Sequence, residues 1–100
     1  MVICLDIDGV LYGDVWPSDN KEVRALPDSL VLVEKIVSQG SFIVYYTSRP
    51  EYDRKKTSEW LSDNGFPVAP LFMGKPQADR YVDDRSVKSL QELIFCLEGI

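Results

Sequence analysis

Four short apolar runs along this chain each stop at a polar cluster, and that punctuation restricts the fold more than any other feature of the sequence. Residues 2–7 end in Asp6-Ile7-Asp8-Gly9, residues 42–46 in Thr47-Ser48-Arg49, residues 71–73 in Gly74-Lys75-Pro76, and Tyr81-Val82 in Asp83-Asp84. The first run is nearly unbroken rather than alternating, as expected of a strand buried on both faces. The intervening segments carry helical signals. Pro27 pre-sets a first turn, Asp28 suits its positive end, and Leu30, Val33 and Val37 form an apolar stripe that Gly40 terminates. Pro50 and Glu51 open a second helix with Thr57, Trp60 and Leu61 on its inner face and Asn64-Gly65 at its end. A third carries Leu90, Leu93, Ile94 and Leu97, with Ser89 and Glu92 spaced as a capping box. Buried strands alternating with helices predict an α/β sandwich with a mostly parallel sheet and right-handed crossovers.

Between the first strand and the first helix, residues 8–26 show no period, and Gly9, Gly13, Pro17, Ser18, Asp19 and Asn20 mark a loop that is long for so small a domain. Residues 10–26 read as a flap insert, with Tyr12 and Trp16 placed to cover a ligand. The chain of 100 residues is expected to form one domain over 1–100. No apolar run approaches the roughly 20 residues of a bilayer-spanning helix, and the start shows no secretory pattern, so a cytoplasmic protein without membrane association is expected.

Histidine is absent, which excludes His-based triads, phosphohistidine chemistry and His-ligated metals. Cys4 and Cys96 lack CxxC spacing and are expected to be reduced core residues. With 11 basic against 16 acidic residues and a net charge of −5, the balance argues against nucleic-acid binding.

In an open parallel sheet, ligands bind at the carboxyl ends of the strands. There the sequence places Asp6 and Asp8, Thr47 and Ser48, Lys75, and Asp83 with Asp84. Asp6 and Asp8, two residues apart on extended chain, can point to the same side, so that one attacks while the other handles a proton. Gly9 lets the backbone turn away and approach a ligand. Asp6 and Asp83 are hard oxygen donors of the kind Mg²⁺ prefers. Lys75 and Thr47 can stabilise transferring phosphoryl oxygens. Arg49 is a candidate substrate contact beside Ser48, with a surface ion pair to Glu51 or Asp53 as the competing reading.

These motifs, in this order, resemble the haloacid dehalogenase (HAD) superfamily of phosphohydrolases. Asp6-Ile7-Asp8-Gly9-Val10-Leu11, Thr47, Lys75 and Asp83-Asp84 carry the likeness across most of the chain. Residues 74–84 further resemble small phosphatase-like proteins associated with bacterial capsule biosynthesis. The resemblance implies a three-layer, Rossmann-like sandwich with strand order 3-2-1-4 and no cap domain. It also implies an aspartyl-phosphate on Asp6, Asp8 as acid then base, and Mg²⁺ held by Asp6, the Asp8 carbonyl and Asp83, with Asp84 as a further candidate ligand. The expected substrate is a small phosphorylated molecule, a sugar phosphate on the narrower likeness, and a homo-oligomer could complete an open site. The alternative is a non-catalytic HAD-like domain that binds metal or a partner. A receiver-type signalling domain fits less well, because there the acidic pair comes first.

Overall fold

The computed structural model describes residues 1–8, 10, 11, 25, 26 and 28–98. The strand β1 (Val2–Asp6), the helix α1 (Ser29–Ser38), the strand β2 (Phe42–Tyr46), the helix α2 (Arg54–Asp63), the strand β3 (Leu71–Phe72) and the helix α3 (Leu90–Glu98) follow one another, with a single 3₁₀ turn at Glu51–Asp53 leading into α2. The sheet is parallel throughout in the order β1-β2-β3, with Val2 opposite Phe42, Asp6 opposite Tyr46, and Tyr46 opposite Phe72. This is the α/β, Rossmann-like arrangement that the alternating pattern predicts.

Strand alternation decides which side chains reach the core. Leu5, Ile7, Ile43 and Tyr45 are buried together with Val33 and Ile36 of α1, Trp60 and Leu61 of α2, and Leu90 and Ile94 of α3. Trp60 stacks on Phe66 with ring centroids 5.7 Å apart. On the opposite face Val2, Cys4, Phe42 and Phe72 are exposed, so β1 is buried on one face rather than two. That also corrects the expectation for the cysteines: Cys4 alternates onto the open face and Cys96 onto the outer side of α3, and both are free and exposed.

The helices follow the sequence closely, with one shift of face. α1 buries Ser29, Val33 and Ile36, whereas Val37 is exposed. From Ser29, a spacing of four and then three residues keeps Val33 and Ile36 on one face, so Ile36 rather than Val37 turns inward. Gly40 and Gly65 close α1 and α2 at φ values of +91° and +80°, a conformation in which a side chain would be strained. Ahead of α3, Ser89 Oγ accepts from Glu92 N–H, while the Glu92 carboxylate accepts from Lys88 N–H. This is a capping box displaced by one residue on its return arm.

One expectation changes in the irregular segments. Tyr81 and Val82 form no strand and are exposed, so the fourth strand is not present among the described residues. At the ends of residues 10–26, Leu11 is fully buried and Val10 and Ala25 pack against the core. Leu26 N–H donates to Leu11 O at 2.8 Å and Ser29 Oγ to Val10 O at 3.0 Å, so the two ends of this stretch are tied together. The expected lid residues Tyr12 and Trp16, like Gly9 and Pro27, lie outside the described residues.

Tyr45 offers a stability test of the core. Its hydroxyl donates to Pro67 O at 2.6 Å, and burial pushes its pKa up to about 12. Between about pH 10, where an unfolded tyrosine ionises, and about pH 12, the unfolded chain loses this proton and the folded chain keeps it. The contribution is therefore complete below about pH 10 and is lost as the pH rises through that window. Tyr45→Phe should cost about 0.5–1.5 kcal/mol near neutrality by orphaning the Pro67 carbonyl. Urea unfolding at a series of alkaline pH values should show the difference from wild type shrinking across the window; a constant difference would place the ionisation elsewhere.

Candidate active site

Backbone pairing brings three strand exits together. Thr47 N–H donates to Phe72 O and Lys75 N–H donates to Thr47 O, both at 2.9 Å, so the pairing of β2 with β3 continues past both strands and delivers Lys75 beside Thr47. Gly74, at φ +78°, makes the turn between them and donates to Arg49 O at 2.9 Å. Asp6 ends β1, and its Oδ1 accepts from Ile7 N–H at 2.8 Å, which turns Oδ2 toward the Lys75 ammonium at 3.2 Å. Lys75 is largely buried while Asp6 is about one third exposed, with side-chain accessibilities of 17% and 35%. The carboxylate therefore remains open to an incoming molecule.

Two aromatic rings flank the ammonium. Lys75 Nζ lies 4.2 Å from the Tyr81 ring centroid and 5.5 Å from that of Tyr46. Each ring face attracts a cation by about 0.5–1 kcal/mol at an accessible site. The Tyr81 hydroxyl donates to Pro76 O at 2.5 Å and accepts from Ala78 N–H at 3.3 Å, so the chain after Pro76 folds back over Lys75. Sequence reasoning read Tyr81 as a strand residue and missed this contact. The available signal was an aromatic six residues beyond the lysine, separated from it by Pro76 and a polar stretch.

Asp8 meets a second set of partners. Thr47 Oγ1 donates to its Oδ2 at 2.9 Å, and Arg49 donates to its Oδ1 from Nε at 3.3 Å and from Nη2 at 3.1 Å. Arg49 Nη1 donates to Thr57 Oγ1 at 2.9 Å. Thr47 and Thr57 are fully buried and Arg49 is 6% exposed. Arg49 is therefore buried rather than held on the surface, and its guanidinium pairs with Asp8. Glu51 pairs instead with Arg54, which also reaches Leu71 O at 2.8 Å.

The remaining candidates stand apart. Ser48 is half-buried next to this network, and Gly9 lies outside the described residues. Asp83 and Asp84 are exposed; Asp83 Oδ1 accepts from Arg85 N–H at 2.8 Å, in a local turn. Among the described residues no three or more His, Cys, Asp or Glu side chains come together to hold a metal ion. Asp6 and Asp8 supply hard oxygens at one strand end, but without Asp83 the set falls short of what an octahedral Mg²⁺ asks of its protein ligands. The described arrangement does not by itself fit the ion.

What is assembled is a partly open carboxylate against a held ammonium, with a second carboxylate two residues on. Such a group can bind a phosphoryl centre and offers it a nucleophile. Comparisons with known proteins agree on the scaffold. A solved structure from Vibrio cholerae superposes with a TM-score of 0.71 at 23% identity, covering 98% of this chain and 97% of the other. A D,D-heptose 1.7-bisphosphate phosphatase from B. bronchiseptica, complexed with magnesium and phosphate, superposes with a TM-score of 0.53 at 21% identity over 99% of this chain, which spans 64% of that enzyme. No individual curated protein matches, and no helix among the described residues is long and apolar enough to cross a membrane. The profile of the LNS2 domain of PITM 1-3 matches residues 3–96, and with that coverage the chain belongs to the LNS2 domain family, a branch of the HAD superfamily with its phosphatase-like fold.

Proposed function

We propose that this domain is a phosphomonoester hydrolase that works through Asp6. The observation that carries the reading is the Lys75 ammonium held 3.2 Å from Asp6 Oδ2 at the carboxyl end of the parallel sheet. An anionic phosphoryl group is attracted to Lys75 and arrives beside the Asp6 carboxylate. An Asp6 oxygen then forms the new bond to phosphorus as the bond from phosphorus to the ester oxygen breaks. The departing alkoxide takes a proton from Asp8 in its acid form. Water next attacks the phosphorus of the Asp6 acyl phosphate and gives its proton to Asp8, which releases inorganic phosphate and restores both carboxyl groups.

Phosphate release from a panel of phosphorylated metabolites, sugar phosphates first, tests the reading. Release above the rate of an Asp6→Asn control supports it, and no release from any compound contradicts it. The assay belongs in parallel series with and without Mg²⁺, since the B. bronchiseptica phosphatase was crystallised with magnesium while the described carboxylates here form no cage for it. A magnesium requirement would imply that Asp83 joins Asp6 when the ion binds. A second reading, a domain that holds phosphate without turnover, draws on one observation: both Asp8 oxygens are already engaged by Thr47 and Arg49. Asp8→Asn separates the two. If Asp8 protonates the leaving group, the substitution should slow alkyl phosphates by about 10²-fold or more and an aryl phosphate far less.

A further inference from the structure

We propose that Arg49 and Thr57 are positioning residues for Asp8, setting the direction of its carboxylate from helix α2; the inference rests on the phosphohydrolase reading above. A carboxylate just beyond a strand can rotate about both of its side-chain bonds, and proton transfer tolerates little misplacement. Here both oxygens are fixed. Thr47 Oγ1 holds Oδ2 at 2.9 Å, while the Nε and Nη2 edge of Arg49 holds Oδ1 at 3.3 and 3.1 Å.

Arg49 is fixed in turn. Its remaining nitrogen, Nη1, donates to Thr57 Oγ1 at 2.9 Å, and its own backbone N–H donates to Thr47 Oγ1 at 3.2 Å. A planar guanidinium bonded along two edges has no free rotation, which a lysine ammonium could not match. Thr57 is fully buried and shares the inner face of α2 with Trp60 and Leu61. The orientation of Asp8 is thereby referenced to the hydrophobic core through Thr57 and Arg49. A structural ion pair would need only the charge of Arg49. Its Thr57 bond, made on the side away from Asp8, serves direction.

Thr57→Val tests this, because it keeps the shape of the side chain and removes the hydroxyl that accepts from Arg49, while Thr57→Ser restores it. The readout is the ratio of kcat for an alkyl phosphate to kcat for nitrophenyl phosphate, whose leaving group needs no proton. Thr57→Val should lower that ratio by about tenfold, in the direction of Asp8→Asn, and Thr57→Ser should return it to the wild-type value. Equal losses on both esters, or a Ser variant that behaves as Val does, would overturn the proposal. If the Val variant does not fold, Arg49→Lys replaces it, keeping the charge without the fork, with the same fall expected.

The Arg49 Nε–H resonance in the free protein supplies an arm independent of turnover. It should shift in Thr57→Val and return in Thr57→Ser, and a resonance indifferent to Thr57→Val overturns the positioning role. Should wild type hydrolyse neither ester, the phosphohydrolase reading fails, and this resonance alone judges the network.

Discussion

Asp6→Asn should abolish phosphoester turnover, with a fall in kcat of at least about a thousandfold, and leave the fold intact. An amide nitrogen and a neutral carbonyl oxygen cannot replace a carboxylate as nucleophile toward phosphorus. Asn keeps the acceptor that Asp6 Oδ1 offers to Ile7 N–H, so the end of β1 is retained. What changes is the second oxygen, which becomes an amide facing the Lys75 ammonium. The partial exposure of that pair keeps the stability cost small, since ion pairs reached by water contribute about 0–1 kcal/mol. Thermal unfolding beside phosphate release checks both halves. An unchanged midpoint with lost turnover is expected; retained turnover would remove Asp6 from the chemistry.

Lys75→Met should lower kcat by about 10²–10³-fold, with a smaller effect on KM, the range seen when a single donor to a developing oxyanion is removed. Methionine is an unbranched apolar side chain close to lysine in length and can pack on the Tyr46 and Tyr81 rings that the ammonium now faces, so the loss reports the charge rather than a collapsed site. Lys75→Arg should recover only part of the rate, because its broader planar head cannot hold a point charge at the same place between Asp6 and Tyr81. Steady-state kinetics on the three forms decide it. A change confined to KM would make Lys75 a binding residue and nothing more.

Much of this is legible in the sequence because it follows from local rules. The limits of β2, the helix ends at Gly40 and Gly65, the inner face Thr57, Trp60 and Leu61, and the order of the strand-end motifs each depend on residues close in the chain. The placing of Asp6, Thr47 and Lys75 at the carboxyl ends of parallel strands follows from the motifs alone, whereas the direct Lys75–Asp6 contact does not. Long-range choices were not legible. Arg49 looked like a rim cation because it follows Thr47-Ser48, and only tertiary packing shows Asp8 and Thr57 converging on it in the interior. The exposure of Cys4 depends on which face of β1 the helices cover, and an apolar run of five residues does not encode that. The Tyr81-Val82 run places Asp83 at a strand end, yet Tyr81 turns back to cap Lys75 instead, and the acidic pair stays in solvent.

A phosphoryl group carried by Asp6 is tested most directly by borohydride trapping. Reduction of protein quenched during turnover converts an aspartyl phosphate to homoserine and leaves free carboxylates unchanged, so the modified position can be read by peptide mass spectrometry. Homoserine at position 6, formed only when a hydrolysable phosphoester is present and absent from Asp6→Asn, is the predicted result. Continued hydrolysis with no homoserine at position 6, or with the modification at position 8, would contradict it.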